Sequence, residues 1–306
     1  MKARIFLLSF LLLTACQPVE LDNEYQRTVP ESKTGSDSLY SLTIKATIPD
    51  GTKALYLDGT KMKAYWRQDD IVNIFRNGVC IGTLTANPDP NGGEKPRTAT
   101  LSGSLKAGVE IGVGDKLWLL FPGRNDEKWD YTGQNGTLTG TGSIEDNFDY
   151  ASAMVDVASV DKPNKKVVTT GIAAFTNEQT MYRFDFKVGG SARTVKQFSI
   201  TSNRSKLVRS RSWSSDKWTS DWGKLTVVLT AAASSPYMSL LNENTTEDDT
   251  YTFNVVGGDD ALYVGTKVVE TANLGVSKFL APQVSLTLFE LTQAASGQID
   301  KQGDVL

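Results

Sequence analysis

The amino-acid sequence predicts an all-β chain that forms two antiparallel β-sandwiches in tandem. Residues 40–48 alternate apolar and polar side chains, which gives a strand one buried face and one solvated face. Asn77-Gly78 separates two apolar runs, and Asn-Gly supplies the positive φ angles that a type I′ hairpin turn requires. Helical periodicity is nowhere sustained over three turns, and only residues 150–157 would allow a turn or two.

Further strands follow the same pattern along the chain. Pairs of Asp-Gly or Asn-Gly punctuate the sequence, and many short strands between such turns are typical of antiparallel sandwiches. In chain order, the further strands are expected at residues 71–75, 79–84, 98–105, 116–121, 167–173, 181–188, 195–201, 224–229, 251–256 and 284–291.

The length of the chain favours two folded domains. The 306 residues exceed what one ordinary sandwich needs, even after removal of an amino-terminal segment. Residues 161–166 are polar and are broken by Pro163, which marks a linker between strands. We therefore expect a first sandwich over residues 39–175 and a second over residues 176–306.

The amino end has the pattern of an export signal. Lys2 and Arg4 precede an apolar run over residues 5–13, which is shorter than the roughly 20 residues that a helix needs to span a bilayer. The run predicts a signal peptide over residues 1–15. Its ending, Leu13-Thr14-Ala15-Cys16, resembles the lipobox of bacterial lipoproteins, which implies cleavage between Ala15 and Cys16 and a lipid on the Cys16 thiol. The alternative is an ordinary secretory signal in which Cys16 has no role.

Residues 16–38 are expected to form a flexible acidic tether. They contain almost no large apolar side chains, so they cannot bury enough surface to offset the entropy of ordering. Arg27 and Lys33 are exposed basic positions in this stretch, where a trypsin-like protease could remove the tether. The acidic residues resemble signals that carry lipoproteins to the outer face of an outer membrane, although an acidic tether is also simply a soluble one.

The composition argues against most enzymes and cofactors. The chain contains no histidine, which removes the usual general base and most zinc and copper sites. If Cys16 carries lipid, Cys80 has no disulfide partner, and we expect it to be a small buried side chain in a strand. A net charge of −3 gives no general attraction to nucleic acid. No metal and no cofactor is expected.

Acidic residues remain as candidates for chemistry. Two carboxylates at a set separation could hydrolyse a glycoside, and Asp69-Asp70, Glu145-Asp146 and Asp259-Asp260 are available, but adjacent acids in turns are usually solvated. Residues 242–249 could offer oxygen atoms to calcium but lack the spacing and the glycine of an EF-hand. We expect a protein that is not an enzyme.

A tryptophan-rich segment is the main candidate binding site. Trp213, Trp218 and Trp222 stand among small polar residues, which suggests an aromatic platform that stacks on sugar rings or packs on a protein partner. The alternative is a loop that folds back with its indoles covering the second sandwich. Just before it, basic residues alternate in a serine-rich stretch, which predicts a solvated strand face or a protease site (Arg204, Lys206, Arg209 and Arg211).

Four stretches carry a family resemblance. They are the lipobox with the basic site at Arg27; Trp66-Arg67-Gln68-Asp69-Asp70-Ile71-Val72-Asn73-Ile74-Phe75; Gly114-Asp115-Lys116-Leu117-Trp118-Leu119-Leu120-Phe121-Pro122; and Gly142-Ser143-Ile144-Glu145-Asp146 with Tyr150, Met154, Phe175 and Tyr182-Arg183-Phe184-Asp185-Phe186. Through them the chain resembles the fimbrillin-like lipoproteins of Bacteroidetes. Asp69 replaces a glycine of the family, and Thr176-Asn177 stand where a histidine is frequent. The match is good over residues 1–190 and poor beyond.

The resemblance implies two transthyretin-like, Greek-key sandwiches in a subunit of a surface fimbria. It also implies assembly in which a protease removes the first strand, before Arg27 or near Lys33, and a strand of another subunit takes its place. The strand at residues 40–48 would then be the first retained. Residues 294–306 are polar and glycine-broken, which makes them a poor donor strand and favours a tip or accessory subunit.

The partners expected from this assignment are other fimbrial subunits, outer-membrane lipid through Cys16, and a host protein or glycan. The alternative function is a surface glycan-binding lipoprotein that serves an outer-membrane carbohydrate-uptake system. That alternative depends on the three tryptophans of the platform and on the two-sandwich architecture.

Overall fold

A computed structural model describes residues 39–48, 56–58, 61–123, 128–204, 207–214, 217–241, 248–270 and 278–289. The predicted signal, the tether and residues 294–306 lie outside the described residues. The all-β class is confirmed, since strands dominate and the helical turns described are Pro90–Gly92 and Ile144–Phe148. No helix in the described ranges is long and apolar enough to cross a membrane.

The strands alternate with short turns along the described chain. They are β1 (Ser41–Thr47), β2 (Tyr56–Asp58), β3 (Lys61–Lys63), β4 (Ile71–Arg76), β5 (Val79–Pro88), β6 (Thr98–Leu105), β7 (Lys116–Phe121), β8 (Lys128–Asp130), β9 (Ala151–Asp161), β10 (Lys166–Thr169), β11 (Ala173–Ala174), β12 (Thr176–Asn177), β13 (Thr180–Arg183), β14 (Asp185–Val188), β15 (Ser191–Ala192), β16 (Val195–Ser202), β17 (Val208–Ser214), β18 (Lys217–Trp222), β19 (Leu225–Ala233), β20 (Tyr237–Leu240), β21 (Thr250–Gly257), β22 (Leu262–Val268), β23 (Phe279–Leu280) and β24 (Gln283–Leu288).

The first sheet closes on itself. Its strands follow the order β10-β1-β6-β5-β4-β7-β9, and β9 pairs back with β10. We call these seven strands the first ring. The predicted alternation in β1 is confirmed, since Leu42, Ile44 and Ala46 are buried and the residues between them are not. The buried side chains of the first hydrophobic core belong to residues between Leu42 and Met181.

The second sheet has seven strands in the order β15-β14-β24-β22-β21-β16-β19, beside a three-stranded sheet β20-β13-β23. Its core contains five phenylalanines, and Phe184 meets Phe253 edge to face with ring centroids 5.0 Å apart. Most buried side chains of this second core belong to residues from Tyr182 to Leu286. Phe75, Cys80 and Leu120, from strands of the first ring, also belong to it.

Three local expectations are wrong. The strand expected at 181–188 is divided at Phe184 into β13 and β14, which belong to different sheets. Residues 150–157 form no helical turn, because Ala151–Asp161 is strand β9 and pairs with β7 over six residues; the helical turn lies just before it, at Ile144–Phe148. The strand expected at 167–173 is divided into β10 and β11, with Gly171 between them at φ 62°. The Asn77-Gly78 turn is confirmed, with both residues at positive φ.

Candidate functional site

The tryptophan-rich segment forms a hairpin. Strand β17 pairs with β18, which places Trp213 directly opposite Trp218, and β17 also pairs with β8. Directly paired residues lie on the same face of the sheet, and every second residue along a strand also lies on one face. Trp222 therefore lies on the same face as Trp218, roughly 13 Å further along β18 at about 3.3 Å per residue.

This face packs against the rest of the protein. Trp213 is only 7% exposed, Trp218 is half-buried, and Trp222 is 36% exposed. Trp213 contacts Trp118 of β7 with ring centroids 4.8 Å apart, and Trp218 contacts Trp129 of β8 at 4.4 Å. Trp118 is half-buried and stands on the outer side of the first ring, since Leu117 and Leu119 on either side of it are in the first core. The hairpin therefore covers part of the first ring as well as the second core.

Arg211 lies inside this aromatic cluster. Its side chain is 5% exposed, and the guanidinium carbon lies 3.9 Å from the ring centroid of Trp218 and 4.8 Å from that of Trp129. Its Nη2 donates to Glu178 Oε2 at 2.7 Å, and Ser152 Oγ donates to the other carboxylate oxygen of Glu178. The ion pair neutralises both groups, so the burial of Arg211 is compensated.

The expected solvated basic stretch is therefore only partly correct. Arg209 lies two residues before Arg211, but the register of β17 shifts between Val208 and Ser210, and Arg209 is exposed with a long contact of 3.8 Å to Asp221. Arg204 is exposed, and Lys206 lies outside the described residues. The prediction is wrong for Arg211, because the face that carries Trp213 also carries Arg211 and turns inward.

The cluster leaves a small apolar surface for a partner. Trp222 is exposed at one end of the buried face, and Met154, which is paired with Trp118 across β7 and β9, is 48% exposed. The three indoles do not form a flat exposed platform, because Trp213 is buried and Trp218 is half-buried. The sequence reasoning missed Trp118 and Trp129, which supply the opposing rings.

The predicted lipidation and cleavage positions, Ala15, Cys16, Arg27 and Lys33, lie outside the described residues. Cys80 is buried, with 7% exposure, as expected. Among the described residues, no group of three or more acidic or cysteine side chains could hold a metal ion.

At least one acid of each candidate pair takes part in an ion pair. Arg67 lies 3.7 Å from Asp70 and 3.5 Å from Glu145, between two of the adjacent acid pairs noted in the sequence. Burial raises the pKa of Glu145, and Arg67 opposes that shift. Asp259 pairs with Arg193 at the surface. These contacts are those of structural ion pairs at turns.

The first and the last described strands along the chain, β1 and β24, occupy similar positions in their sheets. β1 lies between β6, with which it is antiparallel over seven residues, and β10 and β11, with which it is parallel. β24 lies between β22, antiparallel, and β14, parallel over four residues. Val284 and Leu286 of β24 are buried in the second core. Each strand is thus an interior member of its sheet, with both neighbours distant in sequence.

No protein-family model and no curated protein matches this chain. The solved structures that it resembles include cell adhesion and fimbrial proteins of Bacteroidetes and a major pilin protein of Streptococcus pyogenes. They include a candidate cell adhesion protein from Bacteroides uniformis, with 16% identity, a TM-score of 0.39, and coverage of 82% of this chain and 99% of that one. A second, from Bacteroides ovatus, has 14% identity, a TM-score of 0.43, and coverage of 83% and 97%. The C-terminally truncated tip fimbrial protein Mfa3 from Porphyromonas gingivalis has 9% identity, a TM-score of 0.36, and coverage of 76% and 82%.

Proposed function

We propose that this chain is a structural or adhesive subunit of a cell-surface fimbria, assembled by strand exchange that a protease triggers. The observation that carries this is the interior position of β1 and β24. Because each is bonded on both sides to strands distant in sequence, neither is joined to a neighbour by a tight hairpin. They show that this fold accepts strands without a tight hairpin to either neighbour, and a strand of another subunit could fill a position of that kind once the segment before Arg27 or Lys33 is removed.

The burial of these strands supports exchange as a stable form of assembly. Leu42, Ile44, Ala46 and Ile48 of the β1 segment are all at most 2% exposed. A sheet that lacked such a strand would expose apolar side chains and two unpaired edges, which an incoming strand would cover. The strand to be removed is proposed to precede Arg27 or Lys33, so that β1 is the first strand retained.

The lipid anchor belongs to the same proposal. Cys16 would hold the newly exported subunit to the outer membrane, and cleavage at Arg27 or Lys33 would release the tether and the lipid together. The presence of two hydrophobic cores, the second built mostly from residues after Met181, supports two tandem sandwiches. A tip or accessory position is proposed, because residues 294–306 are an unpersuasive donor strand.

The start of the native mature chain tests the anchored and the released state. We would isolate the protein from its own cell surface and determine its first residue by peptide mass spectrometry. A start at Thr28 or Thr34 is expected for an assembled subunit. A population that starts only at acylated Cys16 would contradict release and would favour an anchor subunit or a binding lipoprotein.

Glycan binding for carbohydrate uptake is the second candidate, and the exposed Trp222 favours it. The informative change is Trp222→Ala, because Trp213 and Trp218 contribute to packing and their removal would alter the fold. Loss of binding on a glycan array in Trp222→Ala, with an unchanged unfolding midpoint, would support this function over the first.

A further inference from the structure

One end of the first ring carries an open cavity of about 770 Å³. Three connections surround it: the β4–β5 turn with Arg76, the β6–β7 connection, and the β9–β10 turn with Lys162 and Lys165. Tyr40, just before β1, completes the wall. The volume falls within the range of about 300–1,000 Å³ that is usual for small-molecule sites.

The wall of the cavity is held in place by an internal ion pair. Arg76 Nη1 lies 2.7 Å from Asp115 Oδ2 and also donates to the backbone oxygen of Glu110. The backbone nitrogen of Gly112 donates to Asp115 Oδ2 at 2.9 Å. Arg76 and Asp115 therefore neutralise each other and fix the β6–β7 connection against the end of β4.

The remaining charges of the cavity are mostly positive. Lys106, Lys162 and Lys165 line it, and among the described residues none of the three has a carboxylate within 4.0 Å. Lys165 is half-buried, with its Nζ 4.9 Å from the ring centroid of Tyr40. Glu110 is the one lining acid outside the Arg76 pair. A concave surface concentrates the field of such charges and attracts anions.

We propose that this cavity binds an anionic saccharide, with the three lysines contacting its carboxylate groups. Polar and charged side chains make up most of the lining, which suits the hydroxyl groups of a sugar, and the concave shape suits a short oligosaccharide better than a flat membrane surface. The assignment is independent of the proposed assembly, because no strand exchange enters it.

The test measures binding of trigalacturonic acid to the full-length protein by calorimetry, with its fully methyl-esterified form as the neutral probe. We expect the acid to bind, the ester to bind at least about tenfold more weakly, and the affinity for the acid to fall as salt rises to about 300 mM. Equal binding of acid and ester, or no binding of the acid, would overturn the proposal.

Matched variants locate the site. The triple change Lys106→Gln, Lys162→Gln and Lys165→Gln is expected to weaken binding at least about tenfold. The control triple, with the same loss of charge at exposed lysines that do not line this cavity, should stay within about twofold (Lys45→Gln, Lys217→Gln and Lys224→Gln). An equal loss in both triples would mean a general charge effect and would contradict the proposal.

Two further measurements guard the interpretation. If the half-buried Lys165 affects folding, the double change at the exposed Lys106 and Lys162 replaces the triple and must still weaken binding. Vesicles of phosphatidylglycerol, compared with phosphatidylcholine, form the membrane arm. Binding to the anionic vesicles without binding to trigalacturonic acid would assign the lysines to lipid headgroups and reject the saccharide. A negative result in any of these binding experiments would not affect assembly after cleavage. The saccharide proposal and the assembly proposal can therefore be refuted independently.

Discussion

Replacing Arg211 by alanine should destabilise the protein strongly, because Arg211 is the buried charge at the centre of the tryptophan cluster. Removing one partner of a buried ion pair typically costs about 3–5 kcal/mol, since the other charge is left without compensation. Glu178, the partner here, is 20% exposed, so its own desolvation is incomplete. We therefore take the lower end of this range, about 3 kcal/mol, for the loss of the ion pair. Loss of the guanidinium from Trp218 and Trp129, at 3.9 and 4.8 Å, adds about 1–2 kcal/mol.

Arg211→Ala is therefore expected to lower the free energy of unfolding by about 4–5 kcal/mol, measured by urea unfolding followed through tryptophan fluorescence and circular dichroism. Arg209→Ala is the matched control on the same strand. Its contact with Asp221 joins side chains that are 48% and 61% exposed, so it should cost less than about 1 kcal/mol. A double-mutant cycle with Glu178→Gln should give a coupling of at least about 1 kcal/mol. Equal effects of the two arginine changes would refute the assignment of Arg211 to the buried face.

Three further changes test other parts of the structure. Trp66 is 1% exposed and lies edge to face against aromatic rings of the first core. Trp66→Ala should therefore lower the free energy of unfolding by about 3–5 kcal/mol in the same assay. Cys80 should resist a thiol reagent in the native protein and react once urea unfolds it, in a Cys16→Ser background; rapid reaction of native protein would contradict its burial. The Gly112 backbone hydrogen bond and the Arg76 pair lower the pKa of Asp115, so its stabilising contribution is complete above its unfolded pKa of about 4 and is lost as pH falls through the folded pKa. Asp115→Asn should consequently lose less stability than wild type between about pH 6 and pH 3, and equal losses would contradict the pairing.

Strand positions were predictable where the alternation of side chains reflects a sheet with one buried face. The β1 and β6 segments follow this rule, and the Asn77-Gly78 turn fixed the hairpin of β4 and β5. The closure of the first ring was not predictable, because the pairing of β9 with β10 depends on contacts between strands and not on the periodicity of either one. The helical turn predicted for residues 150–157 was wrong for the same reason, since pairing with β7 decides their conformation.

The position of the tryptophan-rich segment was predictable, and its orientation was left between two alternatives. Trp213 and Trp218 pack against the second core, which agrees with the alternative of a folded-back segment and not with an exposed platform. A usable signal existed in β7, where Trp118 and Leu120 place large apolar side chains on the side of the strand opposite to Leu117 and Leu119. A large aromatic side chain at such a position indicates a surface that another element covers.

The formation of oligomers after cleavage tests the central claim most directly. Purified full-length protein would be cut with a trypsin-like protease, and its mass followed by size-exclusion chromatography with light scattering and by unheated detergent gels. We predict a ladder of stable oligomers from the protein cut after Arg27 or Lys33, and none from an Arg27→Ala, Lys33→Ala variant. Cut protein that remains monomeric, alone and with candidate partner subunits, would contradict assembly by strand exchange.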